Sequence, residues 1–174
     1  MNSESSLDIE GLPAGASIAA FAGSNLFRRL YDQSMAMVRD AADYLELEGA
    51  LERQQLSQKM SLVFACESMR LTTRLMQVSA WLLAMRALRE GEISEDDIPA
   101  KGFRIGAWEV CLGGPVRGAG LLPVRLIEML QASRALYERV SRLDQAMFDG
   151  NRQQAGENPV ISQQARLQQA FSAI

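Results

Sequence analysis

One segment of helical spacing, residues 51–90, constrains the fold of this chain more than any other feature. Its apolar residues recur every three or four positions and cover nearly the whole circumference of a helix, leaving a narrow polar strip. A helix of this kind must be covered on several sides by other polypeptide. Since the chain offers only two other long helical segments, the surplus apolar surface predicts self-association or a docked partner, and it favours a homodimer.

The other two helical segments are amphipathic and lie on either side of this one, at residues 25–48 and 123–148. The connection at Gly49, which we expect to be the C′ glycine of the first helix, is so short that the first two helices should be antiparallel neighbours. The predicted fold class is therefore all-α. We expect an antiparallel, dimeric three-helix bundle with flexible N- and C-terminal segments. Its parts are a flexible arm at 1–23, a helical bundle domain at 24–150 and a flexible tail at 151–174.

Residues 90–121 have no sustained period. An acidic run precedes Pro99, and a glycine-rich stretch follows FRIGAWEVCL. Alternation at Phe103, Ile105, Trp108 and Val110 is compatible with a short strand or with a loop lid over the bundle. The sequence leaves these alternatives open.

The composition excludes most catalytic chemistry, because the chain contains no histidine. A Ser-His-Asp triad, a Cys-His pair and an HExxH zinc site all need that side chain. The two cysteines, Cys66 and Cys111, are too few for a zinc site and are interpreted as buried, reduced thiols of a cytoplasmic protein. The first residues lack the basic region of a signal peptide. We therefore expect no enzyme activity, no catalytic residue, no cofactor and no metal.

A charged group on the central helix is the main candidate for partner binding. Glu67, Arg70 and Arg74 are three or four residues apart and share one flank. They are compatible with an ion pair inside the protomer or at a dimer interface, and also with an arginine pair that accepts carboxylates from a partner. The candidate partner-binding residues are Glu67, Arg70, Arg74, Trp81, Phe171 and Ile174.

Two stretches, SMAMVRDAADYLELEG (34–49) and FACESMRLTTRLMQVSAWLLAMRALREGEIS (64–94), resemble the RcdA family of regulators of CtrA degradation in alphaproteobacteria. The resemblance implies a dimeric three-helix bundle with flexible ends. It also implies a non-enzymatic adaptor that helps the ClpXP protease receive cell-cycle regulators such as CtrA. The implied partners are ClpXP, a CpdR-like response regulator, a PopA-like effector and cargo proteins. The residues themselves predict no nucleic-acid partner, because acids are interleaved among the basic residues, and no membrane, because residues 11–27 are too weakly apolar to span a bilayer.

To the cytoplasmic location that the residues predict, the resemblance adds recruitment to the cell pole. The arm and the tail are the natural tethers for such an adaptor, because disordered segments can order on contact. The alternative function is a structural or assembly dimer that nucleates a protein complex without delivering substrate.

Overall fold

The computed structural model describes residues 18–148. Within these residues the protein is helical and has no strand, so the predicted all-α class is confirmed. The elements are α1 (Ile18–Ala22), α2 (Asn25–Glu46), α3 (Glu48–Gln54), α4 (Gln58–Arg89), α5 (Asp97–Ala100), α6 (Trp108–Leu112), a 3₁₀ turn (Ala119–Leu121) and α7 (Val124–Phe148). The predicted tail, 151–174, lies outside the described residues.

The long helix α4 is the centre of the fold. It packs along both α2 and α7, whereas α2 and α7 have little contact with each other. The apolar core follows α4 in two clusters, one around Trp81 and Met85 and the other around Leu71 and Leu75. Among residues 18–148, a core arranged in this way leaves one side of α4 without packing from another helix.

The segment predicted as a single helix over 51–90 is two helices in the structure. The chain turns after α3, and Ser57 then adopts an extended conformation, with φ −60° and ψ 158°. The Ser57 hydroxyl accepts a hydrogen bond from the Met60 N–H at 3.3 Å, which caps α4. The apolar period continues across the break, so periodicity alone could not reveal it.

Part of the predicted flexible arm is ordered in the structure. Residues 18–22 form α1, and the Phe21 ring packs 5.9 Å from Phe27 and 5.8 Å from Trp81 between ring centroids. The prediction of a flexible arm over 1–23 was therefore wrong for these residues, because burial of Phe21 together with Ile18 and Ala22 holds a segment too short to show a period. Residues 1–17 lie outside the described part.

The segment between α4 and α7 consists of short helical turns that pack onto the bundle, so the alternative of a strand is wrong. Ile98, Ile105 and Cys111 are buried. The Tyr137 hydroxyl of α7 donates a hydrogen bond to the Gly106 carbonyl, and the Gly106 N–H donates to Gln77 of α4. These contacts hold the segment against both long helices.

Gly49 has a different role from the predicted C′ cap. The first helix ends at Glu46, and Gly49 is a buried residue within α3. A Cβ atom at this position would lie 2.9 Å from the Tyr44 carbonyl oxygen and 3.0 Å from Tyr44 Cε1. Gly49 therefore allows α3 to pack closely against the end of α2.

Replacing Gly49 by Ala is expected to destabilise the protein by about 1–3 kcal/mol, the usual cost of overpacking, although alanine favours helix formation. Urea unfolding followed by circular dichroism measures the change. The matched control is Gly114→Ala, where a Cβ meets nothing within 4 Å. The control should change stability by less than about 0.5 kcal/mol. Equal stability of the two variants would contradict the proposed packing role.

Candidate interaction surfaces

The uncovered side of α4 carries a row of apolar and small side chains, which we call the α4 seam. Its members are Leu62, Cys66, Met69, Thr73, Met76, Ala80, Leu83 and Ala87. The four large side chains are exposed, with relative accessibilities of 66% for Leu62, 70% for Met69, 66% for Met76 and 48% for Leu83. As the sequence predicted, α4 has more apolar surface than its neighbours in the described part of the chain cover.

The seam has the spacing of a coiled-coil interface. Its members alternate at four and three residues, which is the average of 3.5 that keeps one stripe facing a partner helix. No member is charged, and one flank consists of the neutral residues Ala65, Thr72 and Ser79 and, at its C-terminal end, of Arg86, which is paired with Glu90. A solvent-facing helix surface normally carries charge. This surface therefore has the character of an interface.

The charged group on α4 is turned away from the seam. The buried Glu67 carboxylate accepts a hydrogen bond from the Val116 N–H at 2.6 Å and pairs with Arg70 at 3.1 Å. Arg74, also buried, donates to the carbonyl oxygens of Cys111 at 2.8 Å and Leu130 at 3.0 Å. Burial lowers the pKa of Arg74, and Arg70 and Arg134 lower it further. Glu67 and Arg74 thus connect α4 to the following segment and to α7.

Trp81 is also an internal residue. Its indole Nε1–H donates to Asp144 Oδ1 at 2.8 Å, and Asp144 Oδ2 accepts from Arg104 Nε at 3.0 Å and Nη2 at 2.8 Å. Both Trp81 and Asp144 are 1% exposed. The indole, the carboxylate and the guanidinium therefore join α4, α7 and the segment between them.

Glu67, Arg74 and Trp81 were candidate partner-binding residues, but all three are buried inside the protomer. Of the alternatives for the charged group, the structure shows the ion pair within the protomer, between Glu67 and Arg70. Arg70 is partly exposed but is held by Glu67. The remaining two candidates, Phe171 and Ile174, lie outside the described residues. Sequence reasoning missed the seam as a unit, although the seven-residue spacing of Leu62, Met69, Met76 and Leu83 was a visible signal.

The interpretation of both cysteines as buried was wrong for one of them. Cys111 is buried, and that burial raises the pKa of its thiol. Cys66 is exposed, because it is a member of the seam. Both thiols are free.

A groove opens on the other side of α4, between α2 and α7. It has a volume of about 210 Å³ and is almost entirely apolar. Its lining residues are Met37, Asp40, Ala41, Leu71, Leu75, Glu128, Met129 and Ala132. Asp40 and Glu128 are exposed, and neither forms an ion pair with any other residue of the described part. We call this feature the acidic-rimmed groove.

The described part of the chain has neither a membrane-spanning helix nor a metal-binding cluster. None of its helices has the length and apolar character needed to span a bilayer. Residues 18–148 contain no cluster of three or more histidine, cysteine, aspartate or glutamate side chains suited to a metal ion.

A helical protein with an uncharged apolar seam on one side and an acidic-rimmed groove on the other has the features of a protein-interaction module. A family model described as "Protein of unknown function (DUF1465)" matches residues 18–171. The crystal structure of RcdA from Caulobacter crescentus CB15 is 40% identical in sequence, with a TM-score of 0.61, and the match covers 75% of this chain and 97% of that chain. No curated protein matches the chain. The chain therefore belongs to the DUF1465 family and to the RcdA family that its central motifs predicted.

Proposed function

We propose that this protein is a non-enzymatic adaptor that promotes the proteolysis of cell-cycle regulators such as CtrA by ClpXP. It would act in the cytoplasm, as a homodimer recruited to the cell pole. The observation that carries the proposal is the α4 seam, because a protein that acts alone rarely exposes four large apolar side chains in one row. The 40% sequence identity to RcdA supports the adaptor role in this proposal.

An adaptor needs at least two binding surfaces, and this protomer offers two. Self-association uses the seam, since its uncharged pattern suits a second helix. A partner binds the acidic-rimmed groove, whose floor is formed by Leu71 and Leu75. The groove suits a partner segment in which an apolar side chain is flanked by arginine or lysine, because Asp40 and Glu128 have no cation of their own in the described part.

The candidate partners are ClpX, a CpdR-like response regulator, a PopA-like effector and the cargo itself. Phe171 and Ile174 remain proposed contacts of the tail. A tethered segment raises the local concentration of what it binds to the order of millimolar when the linker is short. This effect would favour transfer of cargo to the protease without any chemical step by the adaptor.

A reconstituted degradation assay tests the adaptor function. Wild-type protein, added to ClpXP with its partners and CtrA-type cargo, is expected to lower the apparent KM for cargo. The Asp40→Lys/Glu128→Lys variant should need about tenfold more adaptor for the same effect, since two attractions of about 0.5–1 kcal/mol each are lost. The matched control is Asp32→Lys/Glu95→Lys, which changes the charge equally at exposed positions outside the groove. Removal of residues 151–174 in the same assay tests the tail.

The alternative is a structural or assembly dimer that nucleates a complex without delivering substrate. The seam alone is enough for that role, which makes it the second candidate. An unchanged KM for cargo, in a mixture where the protein still assembles with its partners, would overturn the adaptor proposal in favour of this alternative. If the groove variant and its control are needed in equal amounts for the same effect on KM, the groove is not a partner-binding site.

A further inference from the structure

The acidic-rimmed groove has the size of a site for the side chains of a peptide. Its volume of about 210 Å³ lies below the roughly 300–1,000 Å³ of typical small-molecule pockets. An apolar cavity of about 150 Å³ is already sufficient for one aromatic ring of the size of benzene. The floor, Leu71 and Leu75, is buried and apolar, so an aromatic or aliphatic side chain that enters the groove is removed from water.

The rim of the groove favours positive charge. Asp40 on α2 and Glu128 on α7 are exposed on either side of the floor, without an ion-pair partner in the described part of the chain. Arg125, which lies about one turn before Glu128, is already paired with Glu48 at 2.7 Å. A segment that fills the groove should therefore combine an apolar side chain with a neighbouring cation.

A segment lies outside the described residues at each end of the chain, and only one of the two has this combination. Residues 1–17 contain three acidic residues and no lysine or arginine, so their charge is the opposite of what the rim favours. Residues 158–174 contain a single charged side chain, Arg166, directly before Leu167. The family model also extends through residue 171, so most of this segment belongs to the sequence that the family shares.

The apolar residues of the tail recur at helical spacing. Leu167, Phe171 and Ile174 are separated by four and three residues, which is the spacing of the anchors with which an amphipathic helix binds a groove. On such a helix Arg166 would lie beside the apolar stripe, about 100° around from Leu167. The sequence of the tail therefore predicts both parts that the groove needs, an apolar stripe and a flanking cation.

We propose that the C-terminal tail docks into the acidic-rimmed groove of its own protomer. The Phe171 ring enters the groove between α2 and α7, and the Arg166 guanidinium lies at the rim beside Asp40 and Glu128. The inference rests on the partner-binding role proposed for the groove above, and it specifies what occupies the groove when no partner is bound.

The length of the tail suits this contact. The helix α7 lines the groove at Ala132 and ends at Phe148, about 24 Å further along at 1.5 Å per residue. A flexible chain of the length of residues 149–165 has a root-mean-square end-to-end distance of about 21–25 Å. Because this length matches the distance to be spanned, the local concentration of the docking segment at the groove is on the order of millimolar.

Docking in this position would hide the groove and the tail from partners at the same time. A partner segment has to displace the tail, so its apparent affinity is lowered by the fraction of grooves that are open. Displacement then frees Phe171 and Ile174 for the partner contacts proposed above. Binding of one partner to the groove would therefore make the tail available to another.

Disulfide formation within the full-length chain tests the contact. Every variant carries Cys66→Ser, which removes the exposed thiol, and keeps the buried Cys111. Ala132→Cys places a thiol on the wall of the groove, and Ala170→Cys places one beside Phe171. A disulfide requires Cα atoms within about 7 Å, so this groove pair is expected to form a link inside one chain on mild oxidation.

The matched control is the pair Gln145→Cys/Ala170→Cys in the same background. Gln145 is exposed on α7 and lies nearer to the start of the tail, so an undocked tail would cross-link there at least as fast as at Ala132. A docked tail is expected to link to the groove at least about tenfold faster. Non-reducing electrophoresis separates internal links from covalent dimers, and mass spectrometry of unreduced tryptic peptides identifies the linked positions.

Exchange of charge tests the role of the rim. Adding Asp40→Lys/Glu128→Lys to the groove pair should slow its link about tenfold, since two attractions of about 0.5–1 kcal/mol each are lost. Adding Arg166→Glu as well should restore the rate. Asp32→Lys/Glu95→Lys, at exposed positions outside the groove, should leave the rate unchanged. Circular dichroism confirms that the variants fold.

Equal rates for the groove pair and the control pair would overturn docking of the tail. A covalent dimer in place of the internal link would overturn docking within one protomer. A groove link that the charge exchanges leave unchanged would overturn the position assigned to Arg166. None of these measurements uses ClpXP, its partners or cargo, so the degradation assay tests the adaptor function separately.

Discussion

Replacing Asp144 by Ala is expected to destabilise the protein by about 3–5 kcal/mol, the usual cost of removing one partner from a buried charged pair. The Asp144 carboxylate accepts from Trp81 on one oxygen and from Arg104 on the other. Its removal leaves the Trp81 Nε1–H without its acceptor in the core and takes away the carboxylate that orients the Arg104 guanidinium. Urea unfolding, followed by far-ultraviolet circular dichroism, measures the loss.

The control for this variant lies on the same helix. Glu138→Ala removes an ion pair with Arg134 in which both side chains are about 40% exposed. Such surface pairs contribute little, so a change below about 0.5 kcal/mol is expected. Asp144→Asn, which keeps an oxygen for Trp81 but loses the charge, should fall between the two. A loss of less than about 1 kcal/mol for Asp144→Ala would show that these three residues do not hold α4, α7 and the intervening segment together.

Replacing Met76 by Glu is expected to convert the proposed dimer into a monomer, with the dissociation constant raised at least about 100-fold. Met76 is 66% exposed in the protomer and lies in the middle of the seam. Each dimer would therefore bury two new carboxylates at the seam, which costs several kcal/mol. The fold of the protomer should be unaffected, because the side chain has no core contact to lose. Light scattering over a concentration series measures the change.

Val110→Glu is the matched control for the seam variant. Val110 is exposed on α6 and is not a member of the seam, so the same new charge should leave self-association through the seam unchanged. If the adaptor works as a dimer, cargo delivery should fall for Met76→Glu and persist for Val110→Glu. A dimer of undiminished affinity for Met76→Glu would place the self-association surface elsewhere on the molecule.

The helices themselves were accessible to sequence reasoning. Apolar residues at spacings of three and four identified α2, α4 and α7, because each long helix buries one stripe against the others. The interruption at Ser57 could not be seen in the sequence, because the capping serine replaces no residue of the apolar stripe. The apolar spacing therefore continues on both sides of the break. Docking of α1 was missed for another reason: five residues are too few to define a period, and the segment is held by the burial of Ile18, Phe21 and Ala22.

The candidate surfaces were predictable only in part. The apolar circumference of residues 51–90 predicted that some of the helix would be uncovered, and the seam is that part. Helical spacing placed Glu67 and Arg74 on one flank but gave no information about what covers it. Their partners are backbone groups of Val116, Cys111 and Leu130, which only the tertiary path of the chain brings there. For the same reason, nothing in the sequence distinguished Asp144 from the other acids of α7.

The central position of α4 limits how such a protein can vary over evolution. One uninterrupted helix presents core residues on one side and the seam on the other. Inserting or deleting a single residue within it would rotate everything beyond that point by about 100°, and both surfaces would lose their alignment at once. A substitution can alter either side of α4 separately, whereas an insertion or deletion alters both sides together. Within homologues that share both surfaces, the segment corresponding to Leu62–Ala87 should therefore be free of gaps, and variation in length should fall in the loops that join the helices.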